Sequence, residues 1–269
     1  MPSLKDFHHQ IVGQPEAPKL VFLHGLMGSG GNWRRIAKTF QENYQVLTYD
    51  QRGHGRSFHA ESYKVEDFSS DLKAILDELG WDTVTLVGHS MGGRNAFHFA
   101  SQHPVRVQKL VIEDISPAPD EASSEKIRRM INLVPTPFAD RKQAKAFFEN
   151  DFPKALLGNP QAKTLADYFY TNMAEQPDGS TSWRFHLQGI FETMDQGRIS
   201  ERWAEVEGLK MPTLWMRGSE SQDLSKEHFQ RVLDLNAIIR GVEIAPSGHW
   251  IHFDQPEKFI QSLMDFFAS

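Results

Sequence analysis

Gly88-His89-Ser90-Met91-Gly92 fits the pattern G-x-S-x-G, in which small residues let the chain turn sharply and lift a serine hydroxyl into reach. A serine at its ordinary pKa is a weak nucleophile. It needs a base within hydrogen-bond reach, and the base needs an acid to orient it. The histidines beyond residue 205 are His228, His249 and His252. His228 falls inside a helical stretch and is expected at the surface. His252 stands near a helix start and is expected to bond locally. His249 follows Gly248 in a loop, where its ring can swing over the serine, and is the candidate base.

The acid has several candidates. In the chain order Ser, acid, His, the acid commonly follows the strand before the histidine loop. There the sequence reads Arg217-Gly218-Ser219-Glu220-Ser221-Gln222-Asp223, and Gly-x-x-Asp spacing falls on Ser221. Asp223 is two residues late and Glu220 one early. Asp114 ends the run Val111-Ile112-Glu113-Asp114, at the carboxyl edge one strand from the turn, and is the first choice. Asp223 is the alternative, then Glu220. Glu113 alternates to the other face and reads as structural.

An attacked carbonyl also needs hydrogen-bond donors for its developing oxyanion. The Met91 N–H, at the start of a helix, is one candidate. The loop His24-Gly25-Leu26-Met27-Gly28 offers the Leu26 N–H as the second. This loop lacks both the Gly-Lys-Ser/Thr ending and the G-x-G-x-x-G spacing of nucleotide sites.

These groups need elements to hold them. Thr83 to Val87 and Arg94 to Gln102 read as the strand and helix flanking the turn. Strands are expected at Leu4 to Val12 (an edge), Lys19 to Leu23, Gln45 to Tyr49, Gln108 to Ile112, Pro212 to Met216 and Ile238 to Ile244. Helices are expected at Asn32 to Gln41, Val65 to Leu79, Ser225 to Leu235 and Glu257 to Phe267, with a loop from Pro246 to Glu257. Asp50 and Arg52 read as a structural ion pair, and His54 as structural. This alternation predicts a doubly wound, mostly parallel sheet whose ligands sit beyond the carboxyl ends of the strands, where His24, Ser90 and Asp114 fall.

The pattern breaks over residues 118–205, where no strand is expected. The segment is charged, aromatic and cut into short helices by prolines, as a helical cap over the sheet edge would be. The core is then 1–117 and 206–269. Phe138 in the insertion and Trp250 beside His249 are the candidate substrate-lining aromatics.

With 269 residues, 39% of them hydrophobic, the chain can build one large core plus an insertion. A net charge of −6 without a basic stripe argues against nucleic acid. No cysteine is present, which removes disulfides, thiol nucleophiles and thiolate ligands. Neither a signal core nor a run near ~18 apolar residues occurs, so a soluble cytoplasmic protein without cofactor or metal is expected. Oligomeric state is not legible.

Together His24-Gly25, Asp50-x-Arg52-Gly53-His54-Gly55-x-Ser57, Gly88-His89-Ser90-Met91-Gly92-Gly93 and Gly248-His249 resemble the α/β-hydrolase superfamily, from about residue 19 to the end with the cap excluded. The finer resemblance is to small acyl esterases of the YbfF type and their mitochondrial relatives. Their acid begins an Asp-Ile-Ser/Ala-Pro segment after the sixth strand, which Asp114-Ile115-Ser116-Pro117 matches. Gly248-His249-Trp250-Ile251-His252, with Asp254-Gln255-Pro256 behind it, is also similar. Arg94 departs from the lysine that follows Gly-Gly in that branch, and arginine there also occurs in relatives acting on thioesters or carbon skeletons. The resemblance implies an α/β-hydrolase fold with an inserted helical cap. It implies a serine hydrolase of small acyl esters, with water as second substrate; because a histidine base must be neutral to act, activity is expected to rise with pH through about 6 to 8. A thioesterase, a carbon–carbon bond hydrolase or a perhydrolase would use the same residues. A non-catalytic binding protein on this fold is the alternative from another class.

Overall fold

The computed structural model describes residues 2–159 and 161–269. Seven strands form one sheet: β1 (His9–Val12), β2 (Lys19–Leu23), β3 (Gln45–Tyr49), β4 (Val84–His89), β5 (Val107–Glu113) and two later strands, β8 (Thr213–Gly218) and β9 (Ile239–Ile244). Their spatial order is β1-β3-β2-β4-β5-β8-β9. Edge strand β1 runs antiparallel to β3 and every other pairing is parallel.

Strands buried on both faces need continuous apolar runs, and alternate residues feed opposite faces. In β2, Val21 and Leu23 join one core cluster while Leu20 and Phe22 join the other. Leu86, Leu110, Ile112 and Trp215 follow the first pair, and Val87, Val111, Leu214 and Met216 the second. The first cluster is covered by α2 (Val65–Glu78), α3 (Met91–Gln102), α8 (Trp203–Glu207) and α9 (Lys226–Leu235). The second is covered by α1 (Arg34–Phe40), α10 (Ile251–Asp254) and α11 (Pro256–Ala268).

Between β5 and β8 lies the inserted cap, with α4 (Glu121–Asn132), α5 (Arg141–Ala155), α6 (Ala162–Thr171) and α7 (Leu187–Gly197). It has its own apolar cluster, including Phe148, Phe152, Phe169 and Ile190, which continues down onto Leu26, Met27 and Met91 of the core.

Several local expectations change. Only His9–Val12 of the first stretch is strand, because Leu4–Asp6 closes a 3₁₀ turn held by the Asp6 carboxylate on the Ser3 N–H. The helix expected from Asn32 begins as a 3₁₀ turn at Gly30–Trp33. The cap contains a two-stranded hairpin, β6 (Met173–Glu175) and β7 (Thr181–Trp183), each only three residues long. The loop after Pro246 includes the single helical turn α10. Arg52 pairs with Asp71 of α2 rather than with Asp50, making two 2.6 Å contacts with that carboxylate. Asp50 instead accepts the Gly30 and Arg56 backbone N–H groups at 2.7 and 2.8 Å.

Candidate active site

The turn between β4 and α3 holds Ser90 at φ 52° and ψ −118°, a conformation that L-residues keep only when the surroundings impose it. Here the glycines impose it. A Cβ on Gly88 would lie 2.3 Å from the Gly92 carbonyl oxygen, and one on Gly92 2.4 Å from that of Leu23. Helix α3 starts at Met91, three residues before the expected Arg94, so the Met91 N–H stands in its unpaired first turn. The loop carrying Leu26 passes directly over the serine. A Cβ on Gly25 would sit 3.3 Å from Ser90 Cβ. Tyr168 of α6 donates to the Leu26 carbonyl at 2.6 Å and ties this loop to the cap.

Asp114, also at positive φ (52°), follows β5, the fifth rather than the sixth strand of this chain. Its carboxylate is fully buried. Oδ1 accepts the Gly218 N–H at 2.9 Å, and Oδ2 accepts the Ser221 hydroxyl at 2.5 Å and the His249 Nδ1–H at 2.8 Å. A proton on Nδ1 leaves Nε2 as the basic nitrogen of the neutral ring. Asp223 Oδ2 lies 3.5 Å from His249 Nδ1, beyond a good hydrogen bond. Thus Asp114 and His249 are brought together, Asp223 flanks them, and Ser221, at the position where Gly-x-x-Asp spacing expects an acid, serves the Asp114 carboxylate. Glu220 makes no contact with His249 among the described hydrogen bonds and ion pairs.

His249 is pushed up to about 9: burial opposes its charged form, but the Asp223 and Asp114 carboxylates outweigh that. Burial raises Asp114, while the hydrogen bonds from His249 and Ser221 hold it down. These shifts pull in opposite directions on one pair. The three donors on Asp114 decide for the ionised carboxylate. His24 is lowered to about 4 and His54 to about 3, both chiefly by burial, and both stay neutral. His54 is structural in its contacts, its Nδ1 bonding the Arg52 carbonyl at 2.8 Å.

Behind these residues their chain neighbours form a second polar layer that the sequence does not announce. His89 Nε2, beside Ser90, donates to the His249 carbonyl at 2.9 Å. Glu113, beside Asp114, accepts the His252 backbone N–H at 2.9 Å and its Nδ1–H at 2.8 Å. The local bonding expected of His252 is replaced by this contact across 139 residues of chain. Potential ligand atoms of His89, Glu113 and His252 lie within 4.8 Å of one another, but those of Glu113 and His252 are already joined by hydrogen bonds. His228 is half-buried rather than exposed, its Nδ1 2.9 Å from the Ser116 hydroxyl.

Ser90 and His249 open on one pocket between core and cap, walled also by Leu26, Tyr168, Phe169 and Trp250. Trp250 thus lines this pocket. Phe138 does not: it is buried in the cap cluster against Phe147 and Phe148. Among the described residues no helix is long and apolar enough to cross a membrane.

Residues 18–256 match the family model described as the alpha/beta hydrolase fold. The chain belongs to the α/β-hydrolase fold family. It is 31% identical to the sn-1-specific diacylglycerol lipase ABHD11 of Mus musculus, over 95% of this chain and 83% of that protein. It is 26% identical to the esterase YbfF of Escherichia coli, over 91% of each. Among solved structures, a marine microorganism esterase superposes with a TM-score of 0.82 at 27% identity, over 97% of this chain and 98% of that one. The finer resemblance to YbfF-type esterases and their relatives thus holds, and membership with esterase- and lipase-named relatives supports a hydrolase.

Proposed function

We propose that this α/β-hydrolase cleaves carboxylic esters by a two-step serine mechanism, with Ser90 as nucleophile, His249 as base and Asp114 as orienting acid. In the first step His249 Nε2 takes the Ser90 proton as the hydroxyl oxygen attacks the ester carbonyl. The Leu26 and Met91 N–H groups receive the oxyanion. His249 then gives its proton to the departing alcohol, leaving an acyl-serine. Water, deprotonated by the same nitrogen, attacks that acyl group and releases the acid and the free serine. Asp114 fixes the tautomer and stabilises the imidazolium. Water and a small acyl ester are the substrates, and no step calls for a metal or cofactor.

The observation that carries this reading is the 2.8 Å hydrogen bond between His249 Nδ1 and the buried Asp114, with His249 lining the same pocket as the strained Ser90. Hydrolysis of p-nitrophenyl esters from acetate to palmitate tests it, with chain preference sizing the pocket. Turnover in wild type and its loss in Ser90→Ala are expected. No ester turnover, with thioester cleavage instead, would replace the ester reading by a thioesterase one.

A further inference from the structure

Three arginines are buried where the cap meets α3: Arg94, Arg198 and Arg202, at 3%, 6% and 8% exposure. Buried guanidinium groups need acceptors, preferably charged ones. Arg94 spends its fork on the carbonyls of Gly197, Ser116 and Ala118. Arg202 spends its own on the carboxylates of Glu205 and Glu66. Arg198 has no such outlet. Its one side-chain hydrogen bond among the described residues runs from Nη1 to the neutral Ser123 hydroxyl, at 3.1 Å. It forms no ion pair among the described residues, although Glu121, Glu125 and Asp195 line a second cleft that Arg198 also borders.

Arg198 faces the pocket of Ser90 and His249. Lys126 of α4 lines the same pocket, and its one side-chain hydrogen bond among the described residues goes to the neutral Gln222 side chain at 3.1 Å. Against these two cations the pocket wall has one carboxylate among the described residues, Asp223, which lies beside His249 and accepts the Ser123 hydroxyl at 3.3 Å. The excess positive charge is felt by its neighbours: burial and then the Arg198 and Arg202 charges lower Arg94 to about 9, and Arg198 works against the proton on His249.

We propose that Arg198, with Lys126, forms an anion-binding subsite of the pocket, and that the preferred ester carries a carboxylate or phosphate remote from the reacting carbonyl. A guanidinium with most of its fork unused presents paired N–H donors to two oxygens of such a group. The apolar residues that line the same pocket, Ile127 and Met130 of α4 and Leu165 of α6, take the intervening carbon chain. This inference rests on the serine-hydrolase reading, because the subsite borders the same pocket as Ser90.

The test compares matched pairs of esters. One pair is the p-nitrophenyl half-ester of glutaric acid and its neutral methyl diester. The other is 2-acetoxyethyl phosphate and the neutral acetate of 2-methoxyethanol. In wild type the anionic member of at least one pair is expected to have the higher kcat/KM, and the pair with the larger ratio identifies carboxylate or phosphate. Arg198→Gln is expected to reduce that ratio on the order of 100-fold. Arg198→Lys should recover part of it. The surface variant Lys126→Gln, which threatens folding least, should reduce it by a smaller factor. Ratios unchanged in Arg198→Gln and Lys126→Gln overturn the subsite. Calorimetric titration of glutarate and of 2-acetoxyethyl phosphate into Ser90→Ala separates the two readings. If wild type hydrolyses none of the esters, the esterase reading fails, yet binding lost in Arg198→Gln still upholds the subsite and absence of binding overturns it.

Discussion

His249 Nδ1 lies 2.8 Å from Asp114 and 3.5 Å from Asp223, so one imidazole is served by two carboxylates of unequal standing. Asp114 is buried and hydrogen-bonded to the ring, whereas Asp223 acts through its charge. Asp114→Asn is therefore expected to lower kcat by roughly 10³- to 10⁴-fold, because an amide cannot hold the productive tautomer. Asp223→Asn is expected to keep activity within about tenfold of wild type, since it removes no hydrogen bond from the ring. Steady-state kinetics of both variants on one ester decide it. The reverse order would place the acid after β8.

The same geometry sets the pH dependence. The base must be neutral, and its pKa is raised to about 9, with Asp223 the largest of the charges raising it. A raised pKa means that the neutral fraction grows as pH rises, so kcat/KM should climb with pH up to a midpoint near 9. This moves the rise above the 6 to 8 window expected from an unperturbed histidine. Removing the Asp223 charge should shift the midpoint to lower pH. A pH–kcat/KM profile of wild type beside Asp223→Asn measures both effects, and an unmoved midpoint would exclude Asp223 as the cause.

Glu113 and His252 tie the strand before Asp114 to the turn after His249. Glu113 is wholly buried, and its carboxylate accepts both the N–H and the Nδ1–H of His252. Glu113→Ala leaves those donors without their partner, and a loss of about 3 kcal/mol or more is expected. Urea denaturation reads it as a lower midpoint. A stability loss under ~1 kcal/mol would mean that water replaces the carboxylate without cost.

Tyr168 reaches from the cap to the Leu26 carbonyl, within the segment proposed to hold the oxyanion. Tyr168→Phe deletes one hydrogen bond and keeps the ring. A fall in kcat of about tenfold, with stability lowered by only ~1 kcal/mol, is expected if this contact sets the loop position. An unchanged kcat would show that the Gly25 approach to Ser90 is enough.

The sheet was legible because its strands are short apolar runs and its active groups fall at their carboxyl ends. The Ser90 turn was legible because the clash of any Cβ with the neighbouring backbone demands glycine at positions 88 and 92. Asp114 was a legible candidate from its place just after β5, and the gap at position 221 pointed the same way. Other features depend on tertiary pairing that local pattern does not carry. The partner of His252 lies 139 residues away, and Arg52 finds Asp71 across a helix rather than its chain neighbour. Strands of three residues in the cap hairpin are too short for a period to register. Phe138 and Trp250 look alike as aromatics, and only packing separates a cap-core ring from a pocket wall.

The central claim is that Ser90 forms a covalent acyl intermediate. The most direct measurement is labelling with a fluorophosphonate, followed by peptide mass mapping, on wild type and on Ser90→Ala, with ester turnover measured in parallel. The account predicts one adduct on the peptide containing Ser90, and neither adduct nor turnover in Ser90→Ala. Turnover retained in Ser90→Ala, or an adduct on another residue, would contradict it.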